Sequence, residues 1–148
     1  MRMRLLPVVL VLGCAWTGCL RADLKPALAE SNLGKRSKLA LDNAAAALKA
    51  AREAYAQGDS EKVAAAAAEI QQSVDLAYDS LMQTGKNPRS NPRWFKPAEI
   101  ALREMAKKLD SFQRDMDFAD RPLLDKVKAR VQQVHDELLV GLMEGKRK

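Results

Sequence analysis

The chain has 148 residues, of which 25 are Lys or Arg and 19 are Asp or Glu, for a formal net charge of +6 at neutral pH. Two cysteines, Cys14 and Cys19, and a single histidine, His135, exclude a disulfide framework or thiolate metal site beyond residue 19, and any His-plus-His metal motif. The basic excess is of the size that solubility alone asks of a small domain and gives no reason to expect a nucleic-acid partner.

From the N-terminus, Arg2 and Arg4 form a positive n-region, Leu5 to Leu12 an apolar h-region, and Thr17-Gly18 place small residues immediately before Cys19. The apolar run is shorter than the about 20 residues needed to cross the hydrocarbon core, and Arg21 and Asp23 close it. The segment resembles a bacterial lipoprotein signal, in which a peptidase cuts before a diacylated cysteine, after small residues that fit its narrow site. That resemblance implies a signal peptide over 1–18, lipid attachment at Cys19, a tether over 19–35, and a lipid-anchored place in the periplasm or cell-envelope membrane. Trp16 is a bulky departure from the pattern. Val11-Leu12-Gly13-Cys14 is a competing site, with only Arg4 to Gly13 left to present an apolar stretch. An ordinary secretory signal cut after Ala22 or Ala29 reads the same residues as exporting a soluble protein. Without residues 1–18, 23 basic and 19 acidic residues remain.

The remainder, residues 36–148, is of the size of one domain and is helical in pattern. The first stripe, Leu41, Ala44 or Ala45, Leu48, Ala51, Tyr55, is thin because alanine fills most of it, which predicts close approach to a neighbouring helix. A second stripe steps Val63, Ala67, Ile70, Val74, Ala77, Leu81, alternating four and three residues as an a/d heptad does. A third runs Ala98, Leu102, Met105, Leu109, Phe112, Met116, and a fourth Leu124, Val127, Val131, Val134, Leu138, with Leu142 continuing it.

Punctuation separates these stripes into four helices. Gly58 ends the first and Asp59 is placed to N-cap the second, so this short link predicts an antiparallel hairpin. Gly85 closes the second helix. Lys86 to Lys96, with Pro88 and Pro92, reads as a non-helical crossover loop, and Pro97 as the first turn of the third helix. Asp120 is placed to cap the fourth helix, with Pro122 in its first turn. Residues 20 to 35 read as a tether or a short extra helix broken at Gly34. The expected fold is all-α, an antiparallel four-helix bundle of two hairpins joined by the longer Pro-rich crossover. The Tyr55-Ala-Gln-Gly-Asp59 turn faintly resembles that of tetratricopeptide repeats, but it occurs once and nothing recurs near a period of about 34 residues.

Chemistry-bearing patterns are sparse. His135, beside Val134 at a flanking heptad position, is expected to be partly buried and bonded to a carboxylate. A haem role fails for want of a methionine in the first helix and of a Cys-x-x-Cys-His motif. Asp75 and Asp79, with Glu69 on a nearby face, read as solvated acids rather than a cation site. No serine lies in a nucleophile motif, and no Gly-rich phosphate loop is present. Neither a cofactor nor enzymatic activity is expected.

The segment Lys86 to Lys96 stands out, with two Asn-Pro-Arg units, four cations (Lys86, Arg89, Arg93, Lys96) and the aromatic pair Trp94-Phe95. Its cations could hold a phosphate, carboxylate or sulfate group and Trp94 could stack a sugar or base. Alternatively, Trp94 and Phe95 fold back to close the end of the bundle. Two function classes follow. One is a non-enzymatic, membrane-tethered module binding a protein partner in the cell envelope through a helix face; the other is a binder of anionic lipid or polyanion through the 86–96 segment and the Lys146-Arg147-Lys148 tail.

Overall fold

The computed structural model describes residues 22–144; Cys14, Cys19 and the C-terminal Lys146-Arg147-Lys148 lie outside them. The described residues form an all-helical bundle without strands: α1 (Lys25–Ala29), α2 (Leu33–Ala56), α3 (Ser60–Gln83), α4 (Pro92–Asp115) and α5 (Pro122–Glu144). None of these helices is long and apolar enough to cross a membrane.

The heptad stripes are the buried faces. Val63, Ile70, Val74, Leu102, Leu109, Leu124, Val131, Val134 and Leu138 are buried in one core. The alanine-rich face of α2 buries Ala40, Ala44, Ala47 and Ala51 almost completely, and small side chains there let α2 make its most extensive packing against α3. One polar cluster crosses that interface: the Asn43 amide donates to Glu69 Oε1 and to Ser73 Oγ, both at 3.0 Å.

Turn chemistry follows the sequence at the α2–α3 link. Gly58 takes φ 73°, which side chains disfavour, and the Asp59 carboxylate accepts from the Lys62 N–H at 3.0 Å. That bond to a backbone N–H holds the Asp59 carboxyl below its ordinary pKa.

Cross-helix contacts pair the helices. Gln113 on α4 bonds Asp125 on α5 near their shared turn, while Glu99 meets His135 toward the far ends. Gly34 lies against Trp94 and Arg52 against Asp115, so α2 and α4 run side by side in the same direction. Asp75 bonds Arg130 and Tyr78 lies beside Glu137, so α3 and α5 do likewise.

Three sequence expectations need correction. Residues 92–96 are not loop: α4 begins at Pro92, which needs no N–H at the first helical position, and the crossover is confined to residues 84–91. Pro97 consequently sits inside the helix, removing the bond to the Arg93 carbonyl, while complete burial of Phe95 on the core face favours the helical path. Gly34 does not break the chain either. Asn32 caps α2 by accepting from the Lys35 N–H at 3.0 Å, and Gly34 lies in the first turn. Asp120 contributes its backbone carbonyl, which accepts from the Leu123 N–H at 3.0 Å, rather than a side-chain cap.

Candidate functional site

The two Asn-Pro-Arg units fold differently because different neighbours follow them. In the first, the Asn87 side chain accepts from the Arg89 N–H at 3.0 Å to make a local turn, and Pro88 is buried against Gly141 of α5. In the second, Asn91 accepts from the Trp94 N–H through its backbone carbonyl and opens α4. The segment is therefore divided. Lys86 and Arg89 belong to the crossover; Arg93, Trp94 and Lys96 belong to the first turns of α4.

Trp94 is a packing element. Its half-buried ring lies on the backbone of Gly34, and the Lys86 Nζ stands 5.0 Å from the ring centroid on the aromatic face. Its Nε1 is enclosed and has no hydrogen-bond partner, unlike every other buried side-chain nitrogen and oxygen among the described residues. Of the predicted anion-binding set, Lys86 is thus engaged with Trp94, whereas Arg89, Arg93 and Lys96 are exposed and enter no ion pair among the described residues.

Beside Trp94, α2 and α4 diverge to leave an open cleft of about 430 Å³. Leu41, Leu81, Pro97, Ala98 and Ala101 join Trp94 in its apolar lining, with the small Ala98 and Ala101 giving it depth. Lys35, Lys38 and Arg93 line it as well, with Asp42 as the single acid. The sequence signals only Arg93 and Trp94. Lys35, Lys38 and Leu41 lie more than fifty positions upstream on an ordinary amphipathic helix, and nothing local marks them as neighbours of α4.

The other candidates are tied into structural bonds. Both His135 ring nitrogens face carboxylate oxygens, Nε2 at 3.0 Å from Glu99 Oε1 and Nδ1 at 3.1 Å from Asp136 Oδ1, as expected of a buried structural histidine. Asp75 pairs with Arg130 at 2.6 Å and Glu69 with Asn43. Among the described residues no group of three or more His, Cys, Asp or Glu could hold a metal ion. Compared with known protein families, with curated proteins and with solved structures, the chain matches none.

Proposed function

We propose that the chain is a non-enzymatic, lipid-anchored helical module of the bacterial cell envelope that binds a protein partner through a helix face. Its four long helices act in this reading as a bundle of two antiparallel hairpins, supported by the tight α2–α3 turn and by the pairing of α4 with α5 along their length. Export and the anchor at Cys19 rest on the N-terminal residues that resemble a lipoprotein signal.

The observation that carries the partner is the outer face of α5. Leu139, Val140 and Met143 cluster at helical spacing in its last two turns, with Val140 51% and Met143 70% exposed, and Met82 is exposed near the end of the neighbouring α3. An apolar stripe with acids beside it (Asp136, Glu137) suits a partner helix with basic flanks, and unbranched methionine adapts to an incoming surface. The test is capture of partners by the native, lipid-bearing chain from its own membranes. Val140→Glu with Met143→Glu should abolish capture without loss of helicity; capture unchanged by the pair overturns the reading. Binding of an anionic ligand, the second class, is favoured by a separate feature, the cation-lined cleft.

A further inference from the structure

We infer that the cleft between α2 and α4 is a binding site for an anionic phospholipid, with the phosphate among Lys35, Lys38 and Arg93 and the start of an acyl chain against Leu41, Trp94 and Ala98. At about 430 Å³ the cleft falls within the range of about 300–1,000 Å³ usual for small-ligand sites, and its lining has the division they show, mostly apolar with few charged groups. Three cations against one acid give a local positive excess that the chain itself does not neutralise, since neither Lys35, Lys38 nor Arg93 enters an ion pair among the described residues. A ligand carrying negative charge alone would leave the apolar lining wet, and a neutral hydrocarbon would leave the cations without a counterion; an anionic amphiphile satisfies both.

A membrane lipid is preferred over an acidic peptide because of where the chain leads. Ala22 and Leu24 pack against the core, and Asn32, the cap of α2, lines the cleft. Two residues, Leu20 and Arg21, separate Ala22 from Cys19, three backbone steps with a reach of at most about 11 Å. This step rests on the anchored reading of Cys19, which would hold the cleft close to headgroups; the chemistry of the cleft does not depend on it.

The test uses the lipid-bearing chain extracted from its own membranes, which in the anchored reading begins at Cys19 and so has Trp94 as its sole tryptophan, with phosphatidylcholine vesicles containing either phosphatidylglycerol or phosphatidylcholine brominated near the top of the acyl chain. Brominated phosphatidylglycerol should quench Trp94 and brominated phosphatidylcholine at the same mole fraction should not. Lys35→Gln with Lys38→Gln and Arg93→Gln should raise the half-quenching mole fraction at least about tenfold, given about 1 kcal/mol per cation at an anionic surface. Arg89→Gln with Lys96→Gln, outside the cleft, should leave it unchanged. Equal quenching by both lipids, no quenching by either, or equal losses from the two sets of variants overturns the proposal. Displacement by inorganic phosphate would reduce the cleft to a bare anion site, and occupation by a soluble Glu/Leu peptide in place of lipid would reassign it; either result also overturns it. Flotation with purely zwitterionic vesicles reports the anchor separately, so failure of the anchor is distinguishable from failure of the cleft.

Discussion

Trp94 rests on Gly34 so closely that a Cβ at residue 34 would stand 2.6 Å from the indole Cζ3. Ring and glycine join the starts of two helices about sixty residues apart in sequence and form one wall of the cleft.

The sign of a substitution at Gly34 should therefore depend on Trp94. Inside a helix alanine exceeds glycine by about 0.5–1 kcal/mol, but displacing a packed ring costs about 1–3 kcal/mol. Gly34→Ala should lower stability to urea in the wild-type background and raise it slightly in Trp94→Ala. Equal effects in both would show that the ring does not bear on this glycine. Trp94→Ala alone should cost about 3 kcal/mol, the lower end for a large aromatic, because the ring is only half-buried.

The Asn43 cluster should show the opposite of additivity. Asn43→Ala leaves the fully buried Ser73 hydroxyl without its partner and should cost about 1–3 kcal/mol. Adding Ser73→Ala should recover part of that loss. A double variant as unstable as the sum of the singles would mean that the two groups are not coupled.

Removing His135 should be costly for a similar reason. His135→Leu leaves Glu99, 5% exposed, facing only Arg103 at 3.7 Å, and a buried polar group that loses its hydrogen-bond partner costs about 1–3 kcal/mol. Replacing both Glu99 and His135 by Leu should restore most of it. Chemical denaturation of the two variants beside the parent chain checks this.

Alkaline pH should reveal Tyr78. Burial, and then the hydrogen bond to Glu137, push its phenol up to about 12 from 10.0, although Arg130 nearby acts the other way. The folded chain thus keeps a proton that the unfolded chain releases. This contribution to stability is fully present below pH 10 and disappears as the pH rises toward 12. An absorbance titration near 295 nm should show one tyrosinate forming late, and Glu137→Gln should bring it earlier. Ionisation of Tyr78 at its ordinary pH would contradict the packing of α3 on α5.

The core was legible in the sequence because its signal is local: Val63 to Leu81 and Leu124 to Leu138 step in alternating fours and threes, and those positions are buried. Helix neighbours were not legible, because no spacing within α2 states that Lys35 and Lys38 will face α4. The start of α4 is not legible in the sequence for a physical reason. Asn-Pro-Arg opens a turn at residue 87 and a helix at residue 91, and burial of Phe95, not the tripeptide, decides between them. Gly34 reads as a break because nothing local in the sequence shows that an indole occupies the space of its missing side chain.

Intact mass measurement of the chain extracted from its own membranes tests most directly the claim that this is a lipid-anchored envelope module. The account predicts a chain that begins at Cys19, lacks Trp16 and carries the added mass of acyl groups on that cysteine. A water-soluble, unmodified chain beginning at Asp23 or Glu30 would contradict it.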